Sequence, residues 1–530
     1  MRIVPKIPSR FNIADWFLDR PADEHPERIA ILGEPSRVSY GELRALANRV
    51  GNALLAAGCA RGDRVLIVLR DSPEFIAAFF GATKIGALPV PVNFFARTAD
   101  YAFYLSDSEA SIAVVDESAL KEFLPAAQGS EPRLIVVEPD PQADVAREQD
   151  SNSFDSMQWA DWIGGAKPTC PSCDTSANDP AFLLYTSGSG GHPKAAVHQH
   201  KDMLAATRNY AEGVLGIRAD DRVFSVSKLF FAYGLGNAMY FPLAVGASTI
   251  LNPEKTRVDR VAELVAHHRP TIFFGVPTFY AALLREMNRG LPIDFSSVRI
   301  AASAGEPLPA EIFRQFRGRM NIEILDGIGS TEMLHIFISN RPDEAKPASC
   351  GRVVPGYQAR ITDETGQACG SGDIGNLFVK GESALAEYWH QPGYTTRVKN
   401  DGWVGTGDKF FCDADGFYHY SGRSDDMLKV SGMWVSPVEV EDALLGDTRI
   451  AEAAVVGISD GAGLMKPVAF VVLATASQPS AETAHAIQES LRTRLVHYKC
   501  PREIRFVDEL PKTVTGKIQR YLLRNQLEKK

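Results

Sequence analysis

From about Tyr40 to Glu332 the hydrophobic pattern alternates between two periods. Helix-length amphipathic segments are separated by short apolar, β-branched runs: RVLIVL (64–69), SIAVVD (111–116), AFLLYTS (181–187), TIFFGV (271–276) and IEILDG (322–327). Runs that are apolar almost throughout predict strands of parallel sheets with helices over both faces. Several lead straight into Gly/Ser-rich stretches at their C-terminal ends, the edge at which open α/β sheets take ligands.

Beyond about Pro347 the segments shorten. GNLFVKG (375–381) and GWVGTGDKFFCDADGFYHYSGR (402–423) alternate with turn residues and predict a small antiparallel sheet or barrel. The mixed pattern then returns with MLKVSG, a helical VEVEDALL, AEAAVVGI, PVAFVVLA, a helical AIQESLRTRLVHY and the basic end KIQRYLLRNQLEKK. The expected fold class is α/β. Residues 1–424 are read as a large domain of helix-covered, mainly parallel sheets plus a small β-barrel-like part, and residues 425–530 as a smaller α+β domain.

Composition narrows the function. With 45% hydrophobic and 23% charged residues among 530, the chain falls with soluble globular proteins, which excludes wholesale disorder. Fifty-six Lys and Arg against 65 Asp and Glu leave a net charge of −9, which argues against a nucleic-acid partner, so anionic ligands must meet local cations. The opening MRIVPKIPSRFN lacks an apolar signal core and no apolar run reaches membrane-spanning length, so a cytoplasmic protein without a membrane partner is expected. The seven cysteines are scattered and read as reduced thiols. Only Cys170 and Cys173 are close, and without a second pair they are taken as incidental rather than zinc-binding or redox-active.

Four stretches carry candidate chemistry. Thr186-Ser187-Gly188-Ser189-Gly190-Gly191-His-Pro-Lys194 follows an apolar strand; its backbone N–H groups can converge on an anion and Lys194 adds a mobile charge, although such a run also suits a flexible surface loop. Pro193 and Ala195 around the lysine exclude a Walker A loop. Asp326-Gly327-Ile328-Gly-Ser-Thr331-Glu332 offers a hydroxyl to a phosphate and a carboxylate to Mg²⁺, or else a cap and first-turn acid for a helix. Asp408 in Thr-Gly-Asp can accept from both hydroxyls of a ribose, or sit in a turn. Near the C-terminus, PKTVTGK places Lys517 behind a glycine.

Taken together and in this order, TSGSGGHPK, DGIGSTE, TGD, GRSDD and PKTVTGK resemble the adenylate-forming superfamily of acyl-CoA ligases, adenylation domains and luciferases. KLFFAYGLGNAMYFP (228–242), SAGEPLP (303–309), GIGSTEMLHIFISN (327–340) and VSGMWVSPVEVE (430–441) are similar to its benzoate-CoA ligase branch. The resemblance spans essentially the whole chain. It implies ATP-dependent activation of an aryl carboxylate to acyl-AMP, then transfer to coenzyme A, with Mg²⁺ as cofactor and a homodimer among the possible assemblies.

It also implies roles. Thr186 to Lys194 would cradle the leaving phosphates, Glu332 would hold Mg²⁺, and Thr331 would contact the α-phosphate. Asp408 and Arg423 would take the ribose, with Gly305, Glu306, Pro307, Asp326, Gly327, Ile328 and Tyr420 around the adenine. Lys517 would bridge carboxylate and phosphate during adenylation. A rotation about Asp425 would then replace it with the Lys429, Gly432 and Trp434 loop, which lines the thiol tunnel. Phe231, Ala232, Tyr233, Phe241, Ala304, Gly327, His335 and Ile336 would surround the aryl ring. Gly190 and Ala195 depart from the superfamily's loop pattern, which usually has a second hydroxyl and a glycine there. Loading of a carrier-protein thiol, and a nucleotide-binding regulator without catalysis, are the alternatives.

Overall fold

The computed structural model of the chain describes residues 7–33, 37–128, 132, 134–138, 156–186, 193–424, 426–430, 433–459, 465–474, 477–512 and 518–528. Among these, two large sheets carry the N-terminal part. One is wholly parallel, in the order Leu88–Pro91, Arg64–Val68, Ile112–Asp116, Leu134–Glu138, Ser156–Gln158. The other has nine strands, with Ile324–Gly329, Ile300–Ser303, Ile272–Gly275, Arg222–Ser225, Ser248–Ile250 and Ile29–Leu32 parallel and antiparallel strands at both edges. Their inner strands are buried along most of their length, as helices on both faces require, while edge strands such as Ser156–Gln158 are exposed.

Local signals place the covering helices. Ser39 caps Tyr40–Ala56 in a reciprocal box with Glu42, at 3.2 Å and 2.8 Å. Ser72 caps Pro73–Lys84 by accepting from the Phe75 amide at 3.2 Å, with Pro73 at the first helical position and Glu74 in the first turn. Phe79 of that helix packs on Phe182 at 5.5 Å, joining the helix to a small antiparallel sheet and to the main core.

That small sheet differs from the expectation for AFLLYTS. Pro180–Thr186 pairs antiparallel with Lys194–Gln199, with Thr186 opposite Lys194, so the Gly/Ser run joins the two strands of a hairpin instead of leading from a parallel strand into a helix. KAAVHQ is too alanine-rich to announce a strand, and the following helix starts at His200. A second difference concerns DGIG, which continues the strand to Gly329 and pairs with Ile336–Ser339 rather than forming a loop.

Five further strands form the expected antiparallel part, in which Trp403–Cys412 and Tyr418–Arg423 make a hairpin. From Leu428 onward the chain builds cores of its own on the two faces of the sheet Ile450–Ser459, Met465–Leu473 and Glu503–Phe506. The alternation is period two: Ala453 and Val455 face Val440, Leu444 and Ile487, while Ala454 and Val456 face Leu523 and Leu527. This part touches the rest where Asp442 accepts from the Ala310 amide at 3.0 Å and Glu452 pairs with Arg285 at 3.5 Å.

Candidate active site

The turn Ser330–Leu334 lies at the C-terminal end of strand Ile324–Gly329 and is clamped from several directions. Ser330 Oγ accepts from the Met333 amide at 3.3 Å and caps the short 3-10 turn Thr331–Met333. The Thr331 carbonyl accepts from His198 Nε2 at 2.8 Å, the Glu332 carbonyl from the Leu385 amide at 2.7 Å, and the Met333 carbonyl from Ser383 Oγ at 2.8 Å. Leu334, fully buried, closes the turn at φ 65, a conformation costly for a branched side chain and held by this surrounding network.

The Glu332 side chain is also fixed: Tyr388 Oη donates to its Oε1 at 2.7 Å. Beneath the turn, His198 pairs through Nδ1 with Asp202 Oδ2 at 2.9 Å, stacks on Phe182 and has no exposed side-chain surface. His198, Ser383, Leu385 and Tyr388 were not among the residues expected from sequence. His198 lies on the strand Lys194–Gln199 and Asp202 in the first turn of the following helix, so no helical spacing in the sequence pointed to their pairing.

Nucleotide-type chemistry gathers around this turn. Asp326, in register with Ser303 on the neighbouring strand, is buried, and its carboxyl is pushed well up by loss of water, offset in part by the Ser303 hydroxyl and the Leu308 and Gly327 amides. Ala304 is buried at the end of the Ser303 strand and Gly305 follows at φ 93, exposed, with Glu306 and Pro307 half-buried. A side chain at Gly327 would press within 2.9 Å of the Ile338 carbonyl and 3.2 Å of Ile336 Cγ2, so the glycine lets the paired strand approach; Ile328 is half-buried. Asp408 and Arg423 are register partners, with Nη1 at 3.1 Å from Oδ1, and Tyr420 lies half-buried nearby with its phenol pushed upward by desolvation.

Thr186 and Lys194 face each other at the hairpin end. Lys194 Nζ sits 4.6 Å from the ring centre of Tyr394, which packs edge-on against Tyr388 at 5.0 Å, so the lysine and Glu332 are joined through two tyrosines. Ser187, Gly188, Ser189, Gly190, Gly191, Asp425, Gly432 and Lys517 lie outside the described residues. Lys429 and Trp434 are described through their backbones, which pair across a short hairpin.

Beyond the turn stands an aromatic wall. Phe231, Ala232 and Tyr233 are half-buried, while Phe241, His335 and Ile336 are buried. His335 Nε2 lies 3.3 Å from the Tyr233 carbonyl, and its ring is packed by Phe241 at 4.5 Å, Tyr210 at 5.4 Å and Tyr233 at 5.5 Å. Burial pushes the imidazole down to about 3, offset slightly by the Tyr233 carbonyl. The wall is anchored by Lys228, buried, whose ammonium bonds the carbonyls of Asn252 and Glu254 and pairs with Asp71 at 3.5 Å.

Comparison with known proteins fits these two neighbouring environments. The family profile "AMP-binding enzyme" matches residues 18–389. The chain belongs to this family. The "AMP-binding enzyme C-terminal domain" profile matches residues 439–517 of the same AMP-binding enzyme. The chain is 42% identical to the benzoate-CoA ligase of Thauera aromatica, across 98% of this chain and 97% of that one. Among solved structures it resembles the anthranilate CoA ligase AuaEII in complex with anthranoyl-AMP, at 37% identity and TM-score 0.92, covering 98% of both chains. It also resembles a benzoate CoA ligase from Burkholderia xenovorans LB400, at 39% identity and TM-score 0.88, covering 97% of this chain and 100% of that one.

Proposed function

We propose that this AMP-binding enzyme joins an aromatic carboxylic acid, benzoate or a close analogue, to coenzyme A at the expense of ATP, releasing AMP and pyrophosphate. The observation that carries this reading is the single turn at 330–336. It presents Thr331 and Glu332 on one side and, three and four residues after Glu332, His335 and Ile336 to the aromatic wall. A phosphate and a flat apolar acid held on the two sides of one rigid turn are held next to each other.

A carboxylate is a weak nucleophile, and the first step brings it to an anionic phosphorus. Its oxygen attacks the α-phosphorus, the bond to the β-phosphate bridging oxygen breaks, and pyrophosphate leaves. In our reading Thr331 meets the α-phosphate, and Thr186, residues 187–191 and Lys194 meet the leaving phosphates. Asp408 and Arg423 orient the ribose, and Asp326, Gly327, Ile328, Tyr420 and Gly305 to Pro307 border the adenine. Lys517 supplies positive charge between carboxylate and phosphate. Glu332 suits a hard cation, since Mg²⁺ is commonly held by one or two carboxylates with substrate phosphates completing its shell. When bound, Mg²⁺ neutralises phosphate charge. Among the described residues no cluster of three acidic, histidine or cysteine side chains competes for that place.

In the second step a thiol replaces AMP on the acyl carbon. For it, residues 425–530 turn about Asp425, Lys517 withdraws, and Lys429, Gly432 and Trp434 line the path of the thiol. The reading extends to a cytoplasmic homodimer, to be checked by fractionation and light scattering. No described helix is long and apolar enough to cross a membrane. The decisive assay follows pyrophosphate with benzoate, ATP and Mg²⁺, then benzoyl-CoA after CoA is added. Absence of both with every ring acid offered overturns the proposal.

A further inference from the structure

Strand register puts Lys194 and Tyr388 on one face. Tyr388 pairs with Ala196 on the neighbouring strand, and side chains two residues apart on a strand share a face, so Lys194, Ala196 and Tyr388 point the same way. The Trp389 amide then donates to the Ala195 carbonyl at 2.8 Å, which carries the chain toward Lys194 before the helix Pro392–Val398 begins. Thr395 Oγ1 accepts from the Tyr388 amide at 2.9 Å and ties that helix to the strand. Its neighbour Tyr394, half-buried, is thereby set between the lysine and Tyr388, with its ring 5.0 Å from the Tyr388 ring at 66° and the Lys194 ammonium 4.6 Å from its centre. Arg397, one helical turn on, places its guanidinium 5.2 Å from the same ring centre.

Among the described residues no carboxylate pairs with the Lys194 ammonium; what it meets is a ring. A lysine held by a carboxylate must give up that partner to meet a phosphate, because the two anions compete for the same donors. An aromatic ring makes no such demand: the ammonium keeps the ring on one side and turns its N–H donors to a phosphate on the other. Building on the phosphate role given to Lys194 above, we propose that Tyr394 is a positioning residue for adenylation, whose ring holds the Lys194 ammonium ready for the leaving phosphates. The flexible four-carbon stem is then restrained before ATP arrives, so less freedom is lost when the phosphates are bound. The same ring braces Tyr388 and, through it, Glu332, and the two routes are separable by experiment.

The test uses the purified full chain with benzoate or a substituted benzoate, Mg²⁺ and varied ATP, and follows pyrophosphate release. Tyr394→Leu, which removes the ring, is expected to lower kcat/KM for ATP by about 5-fold or more, and Tyr394→Phe, which keeps it, to stay within about 2-fold of the parent. In a Lys194→Met background Tyr394→Leu is expected to change the rate by less than about 2-fold, since the ring then has no ammonium to hold. A loss of the same size in that background routes the effect through Tyr388 and Glu332 and overturns the proposal, as does a Tyr394→Leu enzyme equal to the parent. Tyr394→trifluorophenylalanine preserves the shape of the ring while draining its negative face, so it calls for no repacking. A further drop of about 3-fold or more relative to Tyr394→Phe supports the proposal, and equal activity of the two overturns it. Absence of pyrophosphate from the unmodified enzyme with every ring acid counts against the ligase reading itself.

Discussion

Tyr388 donates a 2.7 Å hydrogen bond to Glu332 from 56 residues downstream, and so fixes the one carboxylate of the turn that suits a cation. Hydrogen bonds to charged groups contribute about 1.5–3 kcal/mol. Tyr388→Phe keeps the ring packed on Tyr394 and removes only this bond. A drop of about tenfold or more in acyl-AMP formation is expected, with the thermal midpoint within about 3 °C of the parent. Stopped-flow or coupled pyrophosphate release together with calorimetry checks it; an unchanged rate would show that Glu332 needs no such support.

His198 holds the Thr331 carbonyl from below. His198→Ala leaves that carbonyl bare and the buried Asp202 with only the Gln199 amide at 2.9 Å, which predicts a stability loss of about 2–4 kcal/mol and a fall on the order of 10²-fold in adenylation. His198→Gln retains a donor that can reach the carbonyl and should recover part of both. Urea midpoints and pyrophosphate release on the two variants decide the matter, and equal defects in both would argue that only bulk is required.

Gly236 makes room for His335. In Gly236→Ala the new methyl falls 2.4 Å from His335 Cδ2, so the wall must shift at a cost of about 1–3 kcal/mol. The expected signature is a rise of about tenfold in KM for the acid with KM for ATP within about twofold. A rise in both would place the disturbance at the nucleotide instead.

Lys517→Ala is expected to slow acyl-AMP formation by about 10²–10³-fold while sparing transfer from preformed acyl-AMP to CoA. Asp425→Pro, which locks φ, should do the reverse and slow transfer more than adenylation. Half-reaction assays separate the two outcomes, and uniform losses in either variant would remove its assigned role.

The pH dependence of stability has a defined sign. His335 titrates near 3 when folded and near 6.5 when unfolded, so the unfolded chain binds the extra proton and stability falls as pH drops below about 6.5. Each pH unit in that window costs up to about 1.4 kcal/mol from this group. Asp326 works the other way: its carboxyl is raised in the fold, so acidification relieves it. His335→Phe removes the first contribution alone, and its urea midpoints between pH 7 and 4 should fall less steeply than those of the parent. Parallel curves would contradict the buried neutral imidazole.

The sequence disclosed the glycine- and hydroxyl-rich stretches because their chemistry is contiguous: TSGSGG and DGIGSTE announce themselves within seven residues. The supports of those stretches were hidden for the opposite reason. His198, Ser383 and Tyr388 act on the turn from 133, 50 and 56 positions away, each as a single side chain with no local pattern. The hairpin Pro180–Thr186 and Lys194–Gln199 was missed because Ala195 and Ala196 are buried by packing that propensity does not register. The nearly continuous apolar runs AEAAVVGI and PVAFVVLA made the C-terminal sheet easy to read, since both of its faces are covered.

The strained Leu334, with the carbonyl clamps on either side of it, has a consequence for divergence. A replacement at His335 or Ile336 that tunes ring preference would tug on the phosphate side through only one or two peptide links. Drift toward new acids is therefore expected to accumulate in the opposing segment 231–241, which reaches the turn through packing on His335 rather than through peptide links, and libraries randomised there should yield more active clones than libraries randomised at 330–336.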